Sequence, residues 1–276
     1  MELRSAAGVA LHPVEVDLLC AFAEVAPPFP LELPAAGASA EERMVLFHDA
    51  AMALGERDLA DERGPLGVAE EFVYLLRACT GVVDLVVDRE GRGRVGVALM
   101  VVKDDALVVT QDFDDPFGVI RMHAAGTDEA VRRAAAAIPR ADAPRSAPFS
   151  LPHKALEQVF AQILTRVPED PDDDAEPRPF SPAELDELLA RHGVDEAVAR
   201  RMVAALHPVV ASGQAGLAVR DDTEDQWRRV GDEVRWIDTP RGRLRLATEE
   251  RGWLSVNPLP PDELRGELRA LVARAR

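Results

Sequence analysis

The chain has 276 residues and a mass of 30.0 kDa, 47% of it apolar and 29% charged, with 49 acids against 32 bases for a formal charge of -17. That is globular composition, long enough to bury a core without disulfides or a structural metal, and its two cysteines, Cys20 and Cys79, make no disulfide framework. So acidic a chain argues against a nucleic-acid or anionic-membrane binder, and its longest apolar run, Val95 to Val102, is far short of the ~18 residues that cross a bilayer. The opening Met1-Glu2-Leu3-Arg4 leads only to a brief apolar stretch, so no signal peptide is expected and a soluble, cytoplasmic protein is.

Taken in chain order, Ser39-Ala40-Glu41-Glu42 is a capping box opening a helix with Met44, Phe47 and Ala51 on one face. Val68, Phe72, Leu75, Leu76 and Cys79 form the next apolar helical stripe. Four β-branched runs follow: Val82 to Asp88, Arg94 to Val102, Ala106 to Gln111 and Val119 to His123. His153 to Val167 has the cleanest helical spacing, and Ser181-Pro182-Ala183-Glu184 caps another helix, with a shorter one from Asp195 to Leu206. Between them, residues 168–179 are acidic and proline-rich, which predicts a solvated, flexible segment. The second strand group is Val209 to Arg220, Val234 to Asp238, Arg243 to Thr248 and Trp253 to Asn257, with Asp221 to Asp232 read as a long connector. Trp236 and Trp253 are expected in the core. Short connectors such as Arg89 to Gly93 and Thr239 to Gly242 join antiparallel neighbours, since parallel strands need a crossover of about a dozen residues or more.

The two halves share an order of helices, then strands, then one closing helix, at Thr127 to Arg133 and at Pro261 to Glu267. An internal duplication with halves near 1–140 and 145–276 is expected within a single domain, 1–276. Neither half has strands enough to stand alone. The expectation is an α+β fold with one central antiparallel sheet running across both halves, flanked by helical bundles.

No arrangement of residues reads as catalytic, cofactor-binding or metal-ligating. Gly91-Arg92-Gly93-Arg94-Val95-Gly96 is a literal GxGxxG, but it lies between two strands, where no helix N-terminus faces a phosphate; a hairpin accounts for the glycines. The alternating Asp170, Asp172 and Asp174 lack the glycine and closing glutamate of a calcium loop. The histidines show no HxxH spacing, Cys79 reads as a core residue, and Asp112, Asp114 and Asp115 read as a strand-end turn. What remains is Arg89, Arg92 and Arg94 clustered at one tip of an acidic protein, and Trp227 beside Arg228 and Arg229, which reads as an interface anchor.

Toward the C-terminus three runs carry a resemblance: Gly213-Gln214-Ala215-Gly216-Leu217-Ala218-Val219-Arg220-Asp221, then Val234-Arg235-Trp236-Ile237-Asp238-Thr239-Pro240-Arg241-Gly242-Arg243, then Gly252-Trp253-Leu254-Ser255-Val256-Asn257-Pro258. With the Asp-Thr-x-x-Gly-Arg turn, the Gly-Trp strand and a final amphipathic helix, this resembles the EspG family of ESX (type VII) secretion proteins of actinobacteria. The N-terminal half matches more loosely, through an early helix, a Leu31-Glu32-Leu33-Pro34 strand and a Gly64-Pro65 break. Thirty of the 32 basic residues are arginine, which suits a GC-rich actinobacterial genome.

The resemblance implies a quasi-twofold α+β fold and a cytosolic, non-enzymatic chaperone. Such a protein binds the helical tip of a PPE protein in a PE–PPE heterodimer, needs no cofactor, and touches neither nucleic acid nor the membrane interior. It implies client contact through the loop between the second and third sheet strands, the sheet surface and the C-terminal helical bundle. That loop corresponds to Arg89 through Arg94, with Glu90 and Arg92 at its tip. It is short here, and Ala215 stands where the family often has an aromatic. The client is then a PPE-like protein or another helical ESX substrate; the open alternatives are a scaffold contacting the secretion machinery and an enzyme without a recognisable motif.

Overall fold

The computed structural model of the chain describes residues 8–154, 184, 187, 190–191, 202, 204–221, 226–249 and 252–276. The acidic segment 168–179, the helix expected over most of 153–167 and most of the two helices after it lie outside these residues.

The chain enters as a short strand, β1 (Val9–Leu11), and turns into helix α1 (Pro13–Ala23). Pro13 stands in the first turn, where its missing N–H costs nothing. His12 caps the helix, its Nδ1 accepting from the Val14 amide at 3.3 Å, while the Glu15 carboxylate returns to the His12 amide at 2.7 Å. Ser39 caps α2 (Ala40–Glu56) as expected, accepting from the Glu42 amide. A two-residue hairpin, β2 (Ala60–Asp61) and β3 (Gly64–Pro65), leads to α3 (Val68–Ala78).

Four antiparallel strands follow, β4 (Gly81–Arg89), β5 (Gly93–Val102), β6 (Asp105–Asp112) and β7 (Ile120–Gly126), and then helix α4 (Thr127–Ala136). After β8 (Phe149–Pro152) come β9 (Ala211–Asp221), β10 (Gln226–Thr239), β11 (Gly242–Glu249), β12 (Trp253–Pro258) and helix α5 (Pro261–Ala275). Ten strands form one sheet in the order β1-β7-β6-β5-β4-β9-β10-β11-β12-β8, and every pairing with a described register is antiparallel. The expected α+β architecture with a single antiparallel sheet is the observed one.

The chain divides into two compact units. One holds Met1–Arg140, Gly213–Val234 and Asp262–Arg276; the other holds Ala141–Ser212 and Arg235–Pro261. In the first, register places Val82 opposite Met100 and Met100 opposite Leu107, so all three share a face, and that face meets Val16 and Leu19 of α1 and Phe72, Leu75 and Leu76 of α3 in one buried cluster. Burying each of these large side chains stabilises the fold by roughly 1.5–3 kcal/mol. Alternation puts Asp84 on the same face, fully buried. In the second unit Trp236, Leu244, Leu254 and Val256 are buried.

Several expectations are corrected. Leu31 to Pro34 is not a strand: Pro30 and Pro34 supply no N–H, and the segment instead bonds a side chain, with the Glu32 amide donating to Gln111 Oε1 at 2.8 Å and Gln111 Nε2 donating to the Glu32 carbonyl at 2.9 Å. The connector read at Asp221 to Asp232 is mostly strand, because β10 begins at Gln226. Its charges mask the alternation, and Arg229 is consumed inside the fold. On α2 the buried positions are Ala50 and Leu54, while Met44 and Ala51 are exposed; apolar residues on most sides of this helix leave its inward stripe ambiguous. Trp236 is buried, but Trp253, the first residue of β12, is 45% exposed.

Candidate functional site

In chain order the second and third strands of the large sheet are β4 and β5, joined by the hairpin at Arg89–Gly93. Gly91 and Gly93 have positive φ, +66° and +73°, the tight-turn role that glycine fills without strain. Arg89 folds back on this turn, donating to the carbonyls of Gly93 at 3.3 Å and Arg92 at 3.1 Å. Arg94 stacks 4.5 Å above the ring of Phe113 and pairs with Glu32 at 2.7 Å. Glu90 and Arg92 are exposed, and among the described residues neither side chain has a partner.

Trp227 and Arg229 lie on β10, tied to the same N-terminal segment that carries Glu32. The Trp227 indole N–H donates to the Ala26 carbonyl at 2.9 Å, and the Arg229 guanidinium stands 5.2 Å from the ring of Phe29. The two clusters, distant in sequence, therefore meet opposite ends of the stretch from Ala26 to Glu32. Arg229 also ion-pairs with Asp84 and Glu233. Burial pushes the Asp84 carboxyl up to about 6, against the opposing pull of Arg229. Arg228 is exposed and has no partner among the described residues.

Of the seven residues singled out, four are thus held by the fold, and Glu90, Arg92 and Arg228 are presented to solvent. Sequence reasoning missed Glu32, Phe29 and Phe117. Phe29 sits in Pro27-Pro28-Phe29-Pro30 and Phe117 in Asp115-Pro116-Phe117-Gly118; an aromatic enclosed by turn residues signals exposure, and they are 46% and 72% exposed.

A separate open cleft of about 710 Å³ lies among α1, the β2–β3 hairpin and α3, lined by Phe22, Asp61, Arg63, Tyr74 and Arg77 among others. Two of its charged side chains are bound to the fold. Asp61 accepts from the Arg63 and Gly64 amides, and Arg77 donates to the carbonyls of Phe22 and Ala23. Among the described residues no three His, Cys, Asp or Glu side chains are grouped to hold a metal ion, and no helix is long and apolar enough to cross a membrane. The Cys20 and Cys79 thiols are buried, which pushes them up to about 12 and about 11 and away from reactive thiolate.

The described residues form a ten-stranded antiparallel sheet with helices on it and a short arginine-bearing hairpin between β4 and β5. The fold has a solved counterpart. The type VII secretion system chaperone EspG5 of Mycobacterium tuberculosis, in complex with a PE25-PPE41 dimer, superposes with a TM-score of 0.62 at 13% identity, covering 97% of this chain and 96% of that one. The sequence pattern of the EspG family matches residues 12–270, and the chain belongs to that family. Among curated protein sequences none matches the chain.

Proposed function

We propose that this protein is a cytosolic, non-enzymatic chaperone of type VII (ESX) secretion that binds the helical tip of a PPE-like protein in a PE–PPE pair and keeps it soluble for export. The observation that carries the reading is family membership over nearly the whole chain, with an end-to-end structural counterpart solved in complex with a PE25-PPE41 dimer. An apolar helical tip needs a complementary surface with a polar rim that sets register, and needs no catalytic group. The hairpin with Glu90 and Arg92 exposed, next to Arg94, and the exposed Arg228 on β10 supply such a rim. A charge of -17 keeps the carrier soluble while it masks an apolar patch on its client.

The internal duplication belongs to the same proposal. From either edge toward the middle the sheet reads β1-β7-β6-β5-β4 and β8-β12-β11-β10-β9, and β7 and β12 each lead into a helix.

The test is co-expression with PE–PPE pairs from an ESX locus, followed by size exclusion with light scattering. The expected result is a stoichiometric complex lost on combining Arg92→Glu and Arg94→Glu. A complex indifferent to both changes moves the contact away from the hairpin, and no complex with any pair overturns the function.

A further inference from the structure

Beside the β4–β5 hairpin, at the same end of the sheet, the loop 112–118 between β6 and β7 is built onto it. The Asp114 carboxylate accepts from the Arg94 amide at 2.9 Å, and a Cβ on Gly93 would come within 1.4 Å of that carboxylate, so hairpin and loop are fitted to each other. The Phe113 amide donates to the Arg94 carbonyl at 2.9 Å, and its ring lies under the Arg94 guanidinium.

The rest of the loop is pinned as firmly. Asp112 accepts from the Asp114 amide at 3.1 Å and Asp115 from the Phe117 amide at 3.0 Å. The Gly118 amide donates to the Asp115 carbonyl at 2.9 Å, and the Gly118 carbonyl accepts from Gln111 at 3.4 Å. All three aspartates, read from sequence as a strand-end turn, are turned into backbone bonds of the turn and hairpin. Out of this fixed frame Phe117 projects, 72% exposed, more than any other large apolar side chain among the described residues.

We infer that the β6–β7 loop is a second client-contact element beside the hairpin, with Phe117 as its apolar anchor. This inference rests on the chaperone reading and names the chemistry of the partner at that site. A lone exposed apolar residue is ordinary on a mobile tip. Here the backbone on both sides is held, so inserting the ring into a partner costs little ordering entropy, the condition under which an aromatic becomes a hot spot. The occupant that fits is the apolar tip of a helical hairpin, offering a socket between its helix ends for the ring and a carboxylate toward Arg92, which has no partner among the described residues. Each of the acids around Phe117 gives one oxygen to a backbone amide, which fixes the loop and leaves the ring as its one exposed large apolar group.

The test is titration of a purified PE–PPE heterodimer into wild type, Phe117→Ser, Phe117→Leu and Arg92→Glu, with the melting temperature of each protein measured alone. Phe117→Ser is expected to melt with wild type and bind about tenfold or more weakly, while Phe117→Leu stays within about threefold. A Phe117→Ser protein that binds within about twofold of wild type, while Arg92→Glu binds tenfold more weakly, overturns the inference and leaves the chaperone reading intact. A wild-type protein that captures no PE–PPE heterodimer overturns the chaperone reading, and this inference with it.

Discussion

Arg229 on β10 reaches across β9 to the carboxylate of Asp84 on β4, tying three neighbouring strands through one side chain. Asp84 is fully buried and its second oxygen has no hydrogen-bond partner, so Arg229 carries most of what offsets its burial; Glu233 holds the other side of the guanidinium. Removing one partner of a buried pair is far costlier than neutralising the buried charge, because an uncompensated ion is left behind. Arg229→Ala should cost about 3–5 kcal/mol at pH 7 in urea unfolding, and Asp84→Asn about 1 kcal/mol.

The pH dependence has a definite sign. Asp84 sits at about 6 in the fold against an ordinary value of 3.8, so the native state holds this proton more tightly than the unfolded chain. Its contribution to stability must grow as pH falls from about 6 toward 4. The stability difference between wild type and Asp84→Asn should therefore move in favour of wild type across that window. A difference that stays flat from pH 7 to pH 4 would show that the pair does not titrate as its burial requires.

Gly216 on β9 is the position that lets Arg229 pass. A Cβ there would stand 2.7 Å from one guanidinium nitrogen and 3.0 Å from its carbon, and this arginine end is fixed by two carboxylates. Gly216→Ala should cost about 1–3 kcal/mol, the range for overpacking. In an Arg229→Ala background the same change should cost close to nothing, which a double-mutant cycle reads directly. Equal costs in the two backgrounds would mean that the penalty of the methyl does not come from the Arg229 guanidinium.

Much of this was legible in the sequence. The β-branched runs and short connectors gave the strands and their antiparallel sense, and the Asp-Thr-x-x-Gly-Arg turn carried the resemblance to the family. What hid was long-range. The bonds between Gln111 and Glu32 span 79 residues, and Arg229 to Asp84 spans 145, so neither leaves a local pattern. Trp227 reads as exposed beside two arginines, yet its indole meets Ala26, 201 residues away. Phe117 is inconspicuous in the sequence because the aspartates around it read as a strand-end turn, which gives no sign of the exposed ring they support.

The Asp-Thr-x-x-Gly-Arg turn has a physical reason. Arg243 grips Asp238 with two bonds of 2.7 Å, both side chains only 3% exposed, while Thr239 accepts from the Arg241 amide and donates to the Gly242 carbonyl. Lysine cannot reproduce the planar two-point contact. Arg243→Lys should cost about 2–4 kcal/mol, and combining Asp238→Leu with Arg243→Met should cost less than either single change, since no buried charge is then orphaned. A double variant less stable than both singles would refute this account of the motif.

Arg92 and Arg94 are two residues apart on the hairpin but should answer to charge reversal differently. Arg92 is exposed and has no side-chain partner among the described residues, so Arg92→Glu should leave the melting temperature unchanged. Arg94 is paired with Glu32 and stacked on Phe113, but its guanidinium is 48% exposed and Glu32 is 62% exposed, which limits the ion pair itself to about 0–1 kcal/mol. Arg94→Glu therefore loses mainly the ring contact and places a carboxylate facing Glu32, for a total of about 1 kcal/mol. In client binding the order should reverse. Arg92→Glu is expected to weaken the complex about tenfold at low salt and less as ionic strength rises, because a rim charge acts through a screened field. Titrations at two salt concentrations, set beside thermal melts of the free proteins, separate the two roles. If Arg92→Glu destabilises the free protein, or binds as wild type at low salt, the hairpin tip has the wrong role here.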